Sequence, residues 1–149
     1  MQENYFYETE LKWTGDRSGV LEGAGQPHLE ISAPPEFAGQ PGLWTPEQLL
    51  VGATASCLMT TFMAIAELSG LSLNFFRVKA SGKLEKIPGE GYRFTEIRLK
   101  PEVGVFPDEM DKAQRVLAKA EKNCFISNSL RAVIRVEPEL VPVEAGVAH

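Results

Sequence analysis

The chain has 149 residues, 44% of them hydrophobic and 23% charged, the size and composition of one globular domain able to enclose a core. A net charge of -5, with no basic cluster interleaved with aromatics, argues against nucleic acid and anionic membranes as partners. Two cysteines and two histidines are too few for a disulfide scaffold or a zinc site, and MQENYFYETE lacks the basic and apolar regions of a signal peptide, so a cytoplasmic protein is expected.

Tyr5 to Trp13 alternates loosely and is rich in aromatics, which predicts a strand. The glycine-bracketed TGDRSG predicts a turn, followed by short strands over Val20 to Glu22 and His28 to Ser32. APPEFAGQPG, stiffened by Pro34, Pro35 and Pro41, reads as a loop.

The long helix comes next, over Thr45 to Leu68. Thr45 is its expected N-cap, Pro46 suits the first helical position, Glu47 favours the first turn, and Gly70 supplies the stop. From Gln48 to Ala66 it carries no charge and is apolar or small on every face, which predicts a helix buried all round. The run is about as long as a bilayer span, but Gly52, Thr54, Ser56, Thr60 and Thr61 and the lack of flanking Lys or Arg favour a soluble core helix.

Leu73 to Glu85 and Tyr92 to Lys100 predict a hairpin across KIPGEG, with one partly solvated face. A second helix is expected with Asp108 as its cap. Its apolar stripe (Met110, Ala113, Leu117, Ala120) ends at Cys124. Phe125 to Leu130 suggests a further helical turn, Arg131 to Val136 a last strand, and residues 137–149 a loose tail.

The order of elements describes a single α+β domain over residues 1–149, with antiparallel sheets around the long helix. Six short strands cover only one side of a helix apolar all round. A homodimer in which two copies of that helix pack together, at Gly52, Ala53, Ala55 and Ser56, resolves the conflict.

Cys57 sits within the long helix, and a thiol becomes a nucleophile only where a cation or hydrogen-bond donors favour its thiolate. No Lys, Arg or His lies within a turn or two of it. Arg17, in the glycine-bracketed loop, is the best-placed cation, and Glu47 is suited to hold its guanidinium through a bidentate pair. Glu47 precedes Cys57 by about 15 Å of helix. If two long helices cross antiparallel, Glu47 of one chain approaches Cys57 of the other, giving a site shared across a dimer.

WTGDRSG, TPEQLLVGATASCL and CFISNSL together resemble the marker regions of the OsmC/Ohr family of bacterial peroxide-reducing proteins, in order and over roughly Leu11 to Val136. The resemblance implies an intertwined homodimer of the OsmC-like fold and an antioxidant, stress-response peroxidase acting on organic hydroperoxides without metal or flavin. It matches Cys57 to the peroxidatic cysteine, which becomes a sulfenic acid, and Cys124 to the resolving cysteine, which closes a disulfide. Arg17 matches the activating arginine and Glu47 its carboxylate partner, with a dithiol of the dihydrolipoamide type as reductant. Family members commonly carry Pro directly after the resolving cysteine, where this chain has Phe125.

Each of these residues also has a plain structural reading. Cys57 and Cys124 would be small buried hydrophobes, Arg17 a solvated turn residue and Glu47 a helix-start charge. Trp13, Trp44, Met59, Phe62 and Met63 read as core or interface packing. Two other functions fit the same fold: a small-molecule-binding protein with idle thiols, and a thiol redox sensor.

Overall fold

The structure, a computed structural model, describes residues 2–144 and comprises two compact units, the first ending at Leu50 and the second starting at Val51. In the first, β1 (Glu10–Gly15), β2 (Ser18–Glu22) and β3 (Leu29–Ser32) form an antiparallel meander in that order. β1 starts later than the aromatics of Tyr5 to Trp13 suggest. Glu10 pairs with Glu22, the last residue of β2, so earlier residues have no partner strand, and Phe6 and Tyr7 stand exposed. The hairpin turn is Asp16–Arg17. Gly15 and Asp16 both adopt positive φ there (131° and 44°), and the Trp13 indole N–H donates to the Asp16 carbonyl at 2.9 Å.

The helix α1 (Pro46–Ser69) starts and stops as its sequence predicts. The Gln48 amide donates to Thr45 Oγ1 at 3.1 Å, and the Thr45 amide donates to Gln48 Oε1 at 3.1 Å, a reciprocal capping box. At the other end Gly70 turns left-handed (φ 67°), while the Leu71 amide bonds the Ala66 carbonyl and the Gly70 amide bonds that of Glu67. This is the paired closure that glycine permits at a helix C-terminus.

In the second unit a long hairpin, β4 (Leu73–Ile87) and β5 (Gly91–Val105), forms the sheet on which α1 and α2 (Met110–Lys122) lie. Ile97, Leu99, Pro101, Val103 and Val105 alternate along β5 as fully buried residues. Ile97, Leu99, Val103 and Val105 share one core with Leu58, Phe62 and Ala66 of α1 and Ala113, Val116, Leu117 and Ala120 of α2. Gly82 of β4 makes room for α1, since a Cβ there would stand 2.7 Å from Val51 Cγ2. The opposite face of the sheet is wet, as expected of the hairpin. Arg98 pairs with Glu96 and Glu137 at 2.7 and 2.8 Å, and Arg135 pairs with Glu96 at 3.1 Å.

Four expectations need correction. The sheet is not wholly antiparallel: β6 (Val133–Val136) runs parallel to β5, because α2 carries the chain back to the starting end of the strand. Nor are residues 137–149 all loose tail. β7 (Glu139–Pro142) continues along β5 in the register of β6, and Pro138, which has no N–H to give, interrupts the two strands. The Glu137 amide bridges the gap to the Leu99 carbonyl at 2.8 Å; residues 145–149 lie outside the described part.

Asp108 does not cap α2 either. Pro107–Glu109 forms a 3-10 turn that feeds straight into the helix, with no side-chain cap. Lastly, α1 is not buried all round within this chain. Thr54, Leu58, Phe62 and Ala66 make one buried stripe, while Ser56, Met59, Thr60 and Ala64 are exposed. The helix is long and apolar enough to cross a bilayer, by length and composition alone. Its buried stripe belongs to the same core as α2 and β5.

Phe62 anchors that core, fully buried with its ring centroid 5.0 Å from that of Phe76. Phe62→Ala is expected to cost about 3–5 kcal/mol of stability, read as a lower urea midpoint at unchanged slope. A loss below about 1 kcal/mol would place Phe62 outside the core.

Candidate functional site

The second unit brings the two thiols together. Cys57 lies on α1 one residue before the buried Leu58 and is itself half-buried, at the margin of the core. Thr61, one turn on, presents its hydroxyl 3.9 Å from Cys57 Sγ. Cys124 is not within α2 but two residues past its end, after Asn123, and is only 1% exposed. The two cysteines lie close enough for each to shift the other's pKa, and both are free thiols.

The local sequence explains this break in the helix. The Asn123 amide closes α2 on the carbonyls of Lys119 and Ala120, and its side chain donates to Lys119 O at 2.8 Å. A 3-10 turn, Ser127–Ser129, takes the place of the further helical turn expected from Phe125 to Leu130. Asn128 N–H donates to Cys124 O at 3.0 Å, and Ser129 Oγ donates to Phe125 O at 2.8 Å. Polar groups thus fold the segment onto itself, and the amides of Ile126 and Phe125 come near enough to Cys57 to favour its thiolate.

These contacts set the two thiols apart electrostatically. Burial works against a Cys57 thiolate, but donation from the Ile126 amide, the Cys124 thiol, the Thr61 hydroxyl and the Phe125 amide outweighs it and holds Cys57 below the ordinary thiol range. For Cys124 burial prevails. It pushes the thiol up against the opposing donors of Ser127, and the neighbouring Cys57 charge adds to the rise. Of the two, Cys57 is therefore the sulfur that ionises more readily, and Cys124 the one that holds its proton more tightly.

The other two candidate residues lie in the first unit and are not paired with each other. Arg17 is exposed at the tip of the β1–β2 hairpin, where its carbonyl accepts from the Ala33 amide at 3.1 Å. Glu47, half-buried in the first turn of α1, faces a cleft of about 600 Å³ lined by Pro34, Pro41, Trp44 and Gln48. Its Oε1 is buried, and among the described residues it has no hydrogen-bond partner. No ion pair joins them within the chain: Glu47 borders one cleft, and Arg17 borders another with Ser18 and Gln40.

Sequence reasoning missed Thr61, Ser127 and the amides of Phe125 and Ile126. A hydroxyl one turn after Cys57 was legible in principle, at the i, i+4 spacing. The amides were not, since every residue except proline has one. Among the described residues, no group of three or more His, Cys, Asp and Glu is placed to hold a metal ion.

Comparisons with known proteins bear on the family and the fold. Residues 39–139 match the model of the family described as OsmC-like protein. YmaD of Bacillus subtilis (strain 168), an uncharacterized protein, is 30% identical over 146 residues, 93% of this chain and 95% of YmaD. Peroxiredoxin OsmC of Escherichia coli (strain K12) is 28% identical over 104 residues, 70% of this chain and 71% of that protein. A crystal structure of an organic hydroperoxide resistance protein OsmC from Legionella pneumophila superposes with a TM-score of 0.73 at 26% identity, covering 94% of this chain and all of the other.

The asymmetry of the thiols predicts their reactivity. Iodoacetamide is expected to modify Cys57 first and to do so below the pH at which ordinary thiols react, because lowering a thiol's pKa moves the onset of its thiolate to lower pH. Cys124 should react only at higher pH. Peptide mass mapping across a pH series checks the order, and equal onset at both sites would contradict it.

Proposed function

This chain belongs to the OsmC-like protein family, and from that premise we propose that it is a cytoplasmic, thiol-dependent peroxidase reducing organic hydroperoxides. One arrangement carries the reading: two free cysteines side by side, the Cys57 thiol shifted down by neighbouring amides, the Cys124 thiol and the Thr61 hydroxyl, and the Cys124 thiol shifted up by burial. The names of the Escherichia coli and Legionella relatives point to the same chemistry.

The Cys57 thiolate attacks the terminal oxygen of the hydroperoxide. An S–O bond forms as the O–O bond breaks, and the departing alkoxide takes a proton from solvent to leave as the alcohol. Cys124 then attacks Sγ of the Cys57 sulfenic acid. The S–S bond forms, the S–O bond breaks, and hydroxide departs with the Cys124 proton as water. An external dithiol of the dihydrolipoamide type returns two electrons and two protons through thiol–disulfide exchange. No metal or organic cofactor takes part.

The working form in this reading is a homodimer. The exposed face of α1 supports it: Ser56 Oγ donates to Gly52 O at 2.7 Å and Thr60 Oγ1 to Ser56 O at 3.1 Å, so both hydroxyls are spent on the helix itself. What remains beside Met59 and Ala64 is an uncharged surface suited to a second copy of the helix. In such a dimer Glu47 of one chain reaches the Cys57 site of the other. Its unpartnered carboxylate oxygen takes an Arg17 guanidinium and steadies it beside the thiolate.

The test mixes the reduced protein with cumene hydroperoxide or hydrogen peroxide and follows free thiols. Expected are rapid loss of both thiols, its absence in Cys57→Ser, and catalytic turnover when dihydrolipoamide is supplied. Cys124→Ser should leave a sulfenic acid that dimedone traps. Thiols that persist for hours would sink the peroxidase and favour a binding protein of the same fold; thiol loss without turnover would favour a redox sensor. Arg17→Ala should slow the peroxide step about 10–100-fold, the worth of one charged hydrogen bond, with Arg17→Lys intermediate.

A further inference from the structure

We propose that Ser127 is a positioning residue for the resolving thiol, its hydroxyl holding Cys124 Sγ toward Cys57 and supporting that sulfur as it loses its proton. The inference rests on the thiol-pair reading above and extends it to a residue that touches neither the peroxide nor Cys57.

The geometry begins with one contact: Ser127 Oγ donates to Cys124 Sγ at 3.3 Å. The hydroxyls of Ser56 and Ser129, by contrast, are turned to the backbone, at Gly52 O and Phe125 O. The hydroxyl of Ser127 goes to a sulfur instead. It is held there by its turn, since Asn128 bonds Cys124 O through its amide and Lys122 O through its side chain, at 3.0 and 3.2 Å. Asn128 is thereby tied down, and the other neighbour, Ile126, accepts from the Ser129 amide at 3.0 Å.

The chemistry explains why such a contact is needed. Cys124 is almost wholly buried, which favours its neutral form, and a neutral thiol is a poor nucleophile. To attack Sγ of an oxidised Cys57 it must shed its proton, and the charge then develops on a sulfur with little water around it. Ser127 supplies, through its hydroxyl and its own amide, the donation that opposes burial. The hydroxyl donates before and after the proton leaves and is neither consumed nor oxidised. Without it the closing step slows, and the Cys57 sulfenic acid waits longer in the presence of peroxide, where further oxidation gives sulfinic acid.

Dithionitrobenzoate separates the two thiols' steps without any peroxide. Cys57 attacks its disulfide and releases one thionitrobenzoate. Cys124 then attacks Sγ of Cys57, forming the protein disulfide, releasing the second thionitrobenzoate and giving its proton to buffer. In full-length Ser127→Ala and Ser127→Val the first phase is expected to keep its wild-type rate. The second should fall about tenfold at neutral pH, with a profile displaced to higher pH. Ser127→Thr, which matches Val in shape but keeps the hydroxyl, should restore it. A second phase of wild-type rate and pH profile in the Ala and Val variants would overturn the proposal, as would a Thr variant as slow as Val. The outcome is independent of the peroxidase reading, which fails separately if wild-type protein keeps its thiols under cumene hydroperoxide.

Discussion

A thiolate inside a protein persists only where donors replace the water it has lost. Around Cys57 those donors are the Ile126 and Phe125 amides, the Cys124 thiol and the Thr61 hydroxyl, and the amides are free because α2 ends at Lys122 and the chain turns tightly over the next few residues. Everything else in the second unit serves that meeting. The sheet holds α1 and α2 against one core, Gly82 lets α1 lie close, and the stop after Lys122 delivers both the amides and the second sulfur to Cys57.

Placement relative to the core also sets the two sulfurs apart. A cysteine on the buried stripe of α1, with Leu58 or Phe62, would be inert, and one on the open face would be an ordinary surface thiol. Cys57 falls between the two, close enough to solvent for a small molecule and close enough to the core for directed donors. Cys124 is sunk deeper and keeps its proton. Two chemically identical side chains thus acquire opposite pKa shifts from their different surroundings.

The parallel turn of the chain after α2 matters for the same reason. A crossover from β5 through α2 to β6 covers the sheet with the helix, which is how α2 comes to share the core of α1. β7 then extends the same edge past Pro138, and Val143 is buried behind it. The far end of the described chain therefore belongs to the fold.

Much was legible before any coordinates. The Thr45 cap, Pro46 and the Gly70 stop depend on local backbone chemistry, and the hairpin on side-chain alternation, so each could be read from neighbouring residues. The helical cysteine with Pro46 and Glu47 ahead of it marked the family. What local pattern could not supply was depth and direction: which stripe of an uncharged helix is buried, that β6 returns parallel, that Arg17 and Glu47 stand unpaired within the first unit. Nor could it find the Phe125 and Ile126 amides or the bond from Ser127 to Cys124. Backbone donors look the same at every residue, and a hydroxyl's partner depends on where the chain has turned; only the packed structure chooses among them.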